Sequence, residues 1–538
     1  MTAIGPADLR GLFDGGGELA LIDVREELIY SQGHLLLARS VPLSRFELKF
    51  AQLVPRRETP IVLCDDNDGL AERAAAILAR NGYGNLRILA GGVAAWAAAG
   101  FELFSGVNVP SKAFGEYIEH ADGTPSISAD ELAELLRDDC DLVVLDSRPF
   151  DEYARVSIPT STNVPGAELV LRARAIAPSA QTTVVVNCAG RTRSIIGAQS
   201  LINAGLPNKV VALRNGTMGW SLAGFSCDSG RNRRAPDVPS EKLRWAQNAA
   251  WRVAEACGVK RIDPPMLEAW RKDRSRTLYL LDVRDPAEYE AGHFPGAVSA
   301  PGGQLVQATD QFVGTLGARI VLVDDAEVRA AMTASWLRQM GFAEVYVMAA
   351  AGAEKTPPAA PILDAEIHPE AAIDCKDLNE LLSRRAVTVI DLSLSRNYLA
   401  RHIPGAWFAI RNRLRPALER IPGNAPLVLT SEDGVLANLA IAEAAHLRSP
   451  AHFLEGGNAA WAAAGYSFST EARVADEPVD QWRKPYERSG DTAAAMRDYL
   501  AWETDLLPRI ARDGSLQFDR FRPRLRAEAR SDAPACRP

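Results

Sequence analysis

Cys188 is the residue whose surroundings in the sequence best favour nucleophilic chemistry. It follows the β-branched run VVVN and precedes AGRTRS, so its thiol is expected where a buried strand ends and a helix begins. Loop amides and the positive end of a helix stabilise an anion at such a place and favour the thiolate. Arg191 and Arg193 add positive charge beside it, which an apolar core position would not accommodate. We therefore expect a reactive thiolate at Cys188.

Cys64 ends a similar run, IVLC, and is the second candidate. Its loop carries Asp65, Asp66 and Asp68 where the loop of Cys188 carries arginine. Carboxylates beside a thiol raise its pKa and repel an anionic substrate. Cys64 is thus kept as a possible second nucleophile. The other cysteines lack a strand-end position, and only Cys227 and Cys536 are considered as relay thiols.

The elements that position these cysteines recur four times along the chain, at a period of roughly 110 to 135 residues. Each copy has an aliphatic run that ends in an aspartate, and these residues are Asp23, Asp146, Asp282 and Asp391. A second run follows at nearly the same spacing and ends at Cys64, Cys188, Val323 and Thr430, which we expect to be equivalent positions. If the register slips by one residue, Asp324 and Ser431 take the positions of Val323 and Thr430 instead. None of these side chains carries a thiol, so the third and fourth copies are predicted to be inactive.

Alternation of strands and helices predicts an α/β fold in which each copy is a small parallel sheet with helices on both faces. The expected domains are 1–106, 122–230, 257–353 and 368–470, followed by a C-terminal helical segment and tail, 471–538. The connecting stretches 104–124, 226–240 and 354–369 are interpreted as linkers. The helix of the C-terminal segment is expected to pack across the last domain.

Several repeated residues are better explained by structure than by catalysis. The Asp146 and Arg148 pair recurs in inactive copies, so we expect a buried ion pair that supports the fold. Trp220 is expected to pack beneath the site. The recurring histidines are absent from the copy with Cys188, so a general-base role is not expected; they are His34, His293 and His402.

Composition narrows the classes of partner. The 538 residues carry a net charge of −8, which gives no basic field for nucleic acid or an acidic membrane face. No apolar run is long enough to span a membrane, and no export signal is recognisable, so we expect a cytoplasmic protein. The seven cysteines show no CxxC spacing, and neither a metal nor an organic cofactor is expected.

Taken together, these motifs resemble the rhodanese sulfurtransferases over roughly residues 1–470. The resemblance rests on the strand-ending Asp with Arg two residues later, the GHxPGA-like turn, the strand-end cysteine and the closing GG…W…G segment. It implies that Cys188 carries a persulfide taken from a donor such as thiosulfate and passed to a nucleophilic acceptor. The implied acceptor is cyanide, a thiol or an acceptor protein. The implied binding residues are Ala189, Gly190, Arg191, Thr192 and Arg193.

Two alternatives remain open. A phosphatase or arsenate reductase of similar fold uses a Cys-x5-Arg loop, whereas the spacing here is Cys188-x4-Arg193, which suits a single sulfur atom better than a phosphate. The second alternative is a sulfur carrier, sensor or scaffold protein. It is favoured by the lack of the strand-end cysteine in two of the four copies. Steady-state turnover separates an enzyme from a carrier that is modified once.

Overall fold

The computed structural model describes residues 2–520 except 351, 353, 365, 367 and 489. Four parallel sheets follow one another along the chain. In each of the first three sheets the five strands, counted along the chain, lie in the order 1-5-4-2-3. The fourth sheet keeps this order and adds a sixth strand beside the third. The predicted fold class, four tandem α/β domains with a C-terminal helical extension, is confirmed.

The first two domains are built from the following elements. The strands of domain 1 are β1 Thr2–Ile4, β2 Ala20–Asp23, β3 Arg39–Ser40, β4 Ile61–Cys64 and β5 Leu86–Leu89, and its helices are α1 Pro6–Asp14, α2 Glu27–Tyr30, α3 Phe46–Leu53, α4 Leu70–Arg80 and α5 Gly92–Ala98. Helix α6, Val109–Asp122, leads to domain 2. Its strands are β6 Ser126–Ile127, β7 Leu142–Asp146, β8 Thr162–Asn163, β9 Thr183–Asn187 and β10 Val210–Leu213, and its helices are α7 Ala129–Arg137, α8 Phe150–Arg155, α9 Leu169–Ile176, α10 Thr192–Asn203 and α11 Gly216–Leu222.

Helix α12, Ser240–Ala256, connects to the second half of the chain. Domain 3 has strands β11 Lys260–Arg261, β12 Leu278–Asp282, β13 Val298–Ser299, β14 Arg319–Asp324 and β15 Val345–Ala349, with helices α13 Pro264–Lys272, α14 Pro286–Ala291, α15 Gly302–Gln307 and α16 Val328–Gln339. Domain 4 has strands β16 Ala372–Ile373, β17 Thr388–Asp391, β18 Trp407–Phe408, β19 Leu427–Thr430, β20 Ala451–Leu454 and β21 Arg473–Val474, with helices α17 Cys375–Ser383, α18 Ser395–Ala400, α19 Leu414–Arg420, α20 Val435–Leu439, α21 Ile441–Leu447 and α22 Gly457–Ala463. Helix α23, Thr492–Asp513, follows domain 4.

Strand β9 lies in the middle of its sheet and shows why these sequences form buried strands. It pairs with β7 on one side and β10 on the other. Val184, Val185 and Val186 are fully buried, because helices cover both faces of the sheet. The carboxyl end of β9 therefore opens onto the edge where loops of α/β sheets form binding sites.

The segment between domains 1 and 2 differs from the predicted linker, because most of it is helix α6. Asn108 precedes the helix in a left-handed conformation, and Gly123 ends it with φ +64° while its amide donates to the Glu119 carbonyl. Val109, Ala113, Phe114 and Ile118 are buried along one face. This apolar spacing between an Asn-Val-Pro start and a Gly stop is a helix signal that the linker interpretation overlooked.

Helix α23 also lies elsewhere than expected. It contacts α6 and α11 rather than crossing domain 4. Leu506 and Ile510 are buried in the core of domain 1, and Trp502 donates from Nε1 to the Ser105 carbonyl at 3.1 Å. The chain thus returns from domain 4 to cover the junction of domains 1 and 2. No helix in the described ranges is long and apolar enough to cross a membrane.

Candidate functional site

Cys188 lies in a tight loop between the end of β9 at Asn187 and the start of α10 at Thr192. It is 1% exposed, and its Sγ is 3.5 Å from the Ser194 hydroxyl. The first amide of this segment with a backbone partner is that of Ile195, which donates to the Arg191 carbonyl at 3.1 Å. Within the described part of the chain, the loop amides before it are therefore left to face an anion.

The strand register corrects the expected equivalence of the two strand-end cysteines. Asp23 pairs with Cys64 across the sheet, whereas Asp146 pairs with Asn187. Cys64 therefore corresponds to Asn187, and Cys188 corresponds to the next residue, Asp65. The same register makes Asp324 and Ser431 the counterparts of Cys188, because Asp282 pairs with Val323 and Asp391 with Thr430. The expected equivalence of Cys64 and Cys188 was wrong by one residue, because Cys188 stands one position farther from its aspartate than Cys64 does. The alternatives Asp324 and Ser431 are the correct counterparts of Cys188.

A shift of one position along the chain changes the direction of a side chain, because neighbouring residues of a strand point to opposite faces of the sheet. Cys64 is fully buried in the core of domain 1, with its Sγ 3.5 Å from the Ile22 carbonyl. Burial raises the pKa of Cys64 well above its ordinary value, and the charge of Asp23 adds more to this effect than Arg25 opposes it. Asp65 and Asp66 raise the pKa further. This environment does not support the possible second nucleophile proposed from the sequence.

The counterparts of Cys188 in domains 1 and 3 reveal what these loops hold. The amides of Asn67 and Ala71 donate to the Asp65 carboxylate at 2.9 and 3.0 Å. In domain 3 the amides of Ala326 and Arg329 donate to Asp324 at 3.1 and 2.8 Å. Each loop therefore wraps a negatively charged group at the position of Cys188. The loop of domain 2 offers the same cradle to a sulfur anion.

Arg193 is the cation whose charge interacts with this thiol. Its Nη2 lies 3.0 Å from Glu152 Oε2, and its Nη1 donates to Gln304 Oε1 at 3.4 Å. Burial lowers the pKa of Arg193, but Glu152 and the Cys188 thiol outweigh it and raise that pKa above its ordinary value. In domain 3 the equivalent Arg329 contacts Asp324 Oδ1 from Nη2 at 2.9 Å. Arg193 therefore occupies the position from which Arg329 of domain 3 contacts the Asp324 carboxylate.

Arg191 lies in a different environment from the one the sequence suggested. Its Nε and Nη2 donate to the two carboxylate oxygens of Glu116, both at 2.7 Å, and Nη2 also pairs with Glu119. Both carboxylates belong to α6, so the charge of Arg191 is matched by this helix. Of the two arginines expected to bind a donor, Arg193 is the one whose position favours that role.

Sequence reasoning missed the groups that cover the loop from outside. A Cβ atom at Gly190 would lie 2.9 Å from Met218 Cε and 3.2 Å from Glu503 Oε2, so a side chain there would require the end of Met218 to move. Glu503 is fully buried on α23 and pairs with Lys112 of α6 at 2.9 Å. Thr192 donates to Glu503 Oε1 at 3.4 Å. Nothing in the local sequence indicates that these distant helices would meet at the loop.

The three residues expected to support the site, Asp146, Arg148 and Trp220, are all buried. Arg148 donates from Nη2 to Asp146 Oδ2 at 2.7 Å, and the side-chain amide of Asn187 donates from Nδ2 to the same oxygen at 3.0 Å. Trp220 is 4% exposed and packs against Phe225. Gly216, at φ +54°, lets the start of α11 lie against the loop of Cys188. A Cβ atom at this position would be only 2.3 Å from the Cys188 carbonyl oxygen.

The remaining candidates lie apart from this loop. His34, His293 and His402 are buried and stack on Tyr30, Tyr289 and Tyr398, as expected for packing residues. Cys227 lies 3.6 Å from the Ser221 hydroxyl, and Cys536 lies outside the described residues. Across residues 2–520, apart from the five omitted positions, no group of three His, Cys, Asp or Glu side chains could hold a metal ion.

Comparisons with known proteins agree with the fourfold architecture. A family model described as a rhodanese-like domain matches residues 5–99, 128–223, 264–351 and 374–464. The crystal structure of a thiosulfate sulfurtransferase from Pseudomonas aeruginosa is 46% identical, with a TM-score of 0.93 over 97% of this chain and 100% of that chain.

Two smaller proteins match single portions of the chain. A rhodanese-related protein of Thermoplasma volcanium is 21% identical over 19% of this chain and 98% of that chain, with a TM-score of 0.17. The uncharacterized protein YqhL of Bacillus subtilis is 37% identical over 76 residues, which span 14% of this chain and 59% of that protein. The four matched segments together cover more than half of the sequence, and the chain therefore belongs to the rhodanese family.

Proposed function

We propose that this protein is a sulfurtransferase that moves a sulfane sulfur from a donor such as thiosulfate to cyanide or a thiol through a persulfide on Cys188. The carrying observation is the amide cradle at Cys188, whose counterparts in domains 1 and 3 enclose the Asp65 and Asp324 carboxylates. The similarity of the whole chain to a thiosulfate sulfurtransferase supports the same activity.

The transfer proceeds as two displacements on sulfur. The Cys188 thiolate attacks the outer sulfur of thiosulfate, a new S–S bond forms, and sulfite leaves with the electrons of the old S–S bond. The acceptor then attacks the outer sulfur of the persulfide, and the Cys188 thiolate leaves with the electrons of that bond. Loop amides between Ala189 and Thr192 stabilise the persulfide anion, and Arg193 attracts the anionic donor.

Domains 3 and 4 are proposed to be catalytically inactive. Asp324 and Ser431 stand where domain 2 has Cys188, and neither side chain can carry a persulfide. Domain 1 is proposed to be inactive as well, because Asp65 stands at that position and Cys64 faces the core. One site per chain is therefore expected.

Steady-state formation of thiocyanate from thiosulfate and cyanide tests this proposal. Wild-type protein should release many product molecules per chain, and Cys188→Ser should abolish turnover because serine cannot form the persulfide. Cys64→Ser is the matched control and should retain the wild-type rate within about twofold. A single turnover per chain would favour a carrier instead, and full activity of a folded Cys188→Ser protein would refute the proposal.

A further inference from the structure

Domains 2 and 3 pack against each other through equivalent segments. The stretch Pro165 to Glu168 of domain 2 meets Pro301 to Gln304 of domain 3, and a Cβ atom at Gly303 would lie only 3.0 Å from the Gly166 nitrogen. Equivalent residues of the two domains are separated by a constant number of positions in the sequence. By this spacing, Cys188 corresponds to Asp324, Arg193 to Arg329 and Glu168 to Gln304. Each domain thus places one residue of this contact beside the arginine of the other.

In domain 3 this arrangement neutralises the arginine. Arg329 contacts Asp324 and Asp325 of its own loop at 2.9 and 2.7 Å. It also pairs with Glu288 of α14 and, across the domain boundary, with Glu168 at 2.9 Å. Four carboxylates surround one guanidinium, whose side chain is only 2% exposed. No charge is left there for a ligand.

The equivalent surroundings of Arg193 have lost most of these carboxylates. Domain 2 has Cys188 and Ala189 at the positions of Asp324 and Asp325 in domain 3. Across the domain boundary, Arg193 meets the neutral Gln304, whereas Arg329 meets the carboxylate of Glu168. Among the described residues, Glu152 is the one carboxylate within 4.0 Å of Arg193, and it is shared with Lys484 Nζ at 3.0 Å. The Arg193 side chain keeps 12% of its surface exposed. Its charge is therefore available to an anion at Cys188.

We propose that Gln304 of domain 3 is a specificity-determining residue of the Cys188 site, because its neutral amide contacts Arg193 without neutralising the charge of the guanidinium. This inference rests on the proposed sulfurtransferase activity and gives domain 3 a role in it. Gln304 acts on the donor only through the charge of Arg193. A glutamate at this position would recreate the arrangement around Arg329 and would compete with the anionic donor for the guanidinium.

Gln304→Glu tests the inference in the full-length chain. We expect the KM for thiosulfate to rise about tenfold or more, with kcat changed much less, because a carboxylate within contact distance of Arg193 offsets its charge. The rise should be smaller for methanethiosulfonate, a donor with one negative charge instead of two. Gln304→Met removes the hydrogen bond without adding charge, and its KM should stay within about threefold of wild type.

The mirror substitution Glu168→Gln is the matched control, since it changes the surroundings of Arg329 and should leave the KM for thiosulfate unchanged. Equal KM values for wild type and Gln304→Glu, or an equal rise in Gln304→Met, would overturn the inference.

A second readout does not depend on thiosulfate being the donor. Alkylation of Cys188 by iodoacetate, which is anionic, is compared with alkylation by neutral iodoacetamide, each measured on the Cys188 peptide by mass spectrometry. Gln304→Glu should lower the iodoacetate-to-iodoacetamide rate ratio at least about fivefold. An unchanged ratio would refute the role of Gln304, whereas a wild-type protein without thiosulfate turnover would refute the proposed function alone.

Discussion

At the scale of single residues, the position of Cys188 just beyond the end of β9 gives its thiol access to the loop amides. Cys64 is the last residue of β4, and its side chain enters the core of domain 1. Both thiols are buried, so exposure does not distinguish them. The surroundings do, because the charge of Arg193 acts at Cys188, whereas Asp23, Asp65 and Asp66 act against ionisation of Cys64.

This contrast predicts different reactivities toward iodoacetamide. Iodoacetamide reacts with the thiolate form of cysteine. Because the pKa of Cys64 is raised, its thiolate is scarce throughout the neutral range. Between pH 7 and pH 9, native Cys64 should react at least about 100-fold more slowly than Cys188. Peptide mass spectrometry measures both rates in one sample, and protein unfolded in urea provides the control in which the two should react alike. Similar rates in the native protein would contradict this account.

At the scale of elements, helices α6 and α23 hold the loop of Cys188 from outside. Arg191 pairs with two glutamates of α6, and Lys112 of the same helix pairs with Glu503 of α23 at 2.9 Å. The Lys112–Glu503 pair is buried, so removal of one partner would leave an uncompensated charge in the interior.

Glu503→Ala is therefore expected to destabilise the contact between α23 and the loop by about 3 to 5 kcal/mol. Hydrogen exchange of the peptide that contains residues 189–195 should become faster, and the Tm should fall. Asp505→Ala, at an exposed position of the same helix, is the control and should change stability by less than about 0.5 kcal/mol. Unchanged exchange in Glu503→Ala would show that α23 does not stabilise the loop.

At the scale of the whole molecule, the sequence predicts each domain better than the contacts between domains. Fourfold repetition and buried β-branched runs such as that of β9 identify the strands, the fold class and the loop of Cys188, because these depend on local pattern. The position of α23 on domains 1 and 2, and the contact of Gln304 with Arg193, join residues that are far apart in sequence. The register error at Cys188 arose because a single residue separates a core position from a loop position.

A buried carboxyl near the contacts between domains 1 and 4 gives the molecule a pH-dependent stability. Arg45 pairs with Glu432 at 3.0 Å, and Arg411 pairs with Glu47 at 2.7 Å. Glu26 lies nearby, where burial, opposed by a hydrogen bond from Ser44, raises its pKa to about 7. The unfolded chain ionises this carboxyl near pH 4.5, so the folded state loses relative stability as the pH rises from about 4.5 to about 7.

Glu26→Gln removes that penalty because the amide cannot ionise. The variant should be more stable than wild type at pH 8, by up to about 3 kcal/mol, and the difference should become small at pH 5. Thermal unfolding at both pH values measures it. A Gln variant that is less stable than wild type at pH 8 would show that Glu26 is ionised and favourably paired in the folded protein.

The most direct test of the central claim is the mass of the Cys188 peptide after thiosulfate and then after cyanide. A persulfide at Cys188 predicts one added sulfur atom, about 32 Da, on that peptide, its removal by cyanide, and no such addition on the Cys64 peptide. Folded protein with no added sulfur on Cys188, or with the sulfur on another cysteine, would contradict the account.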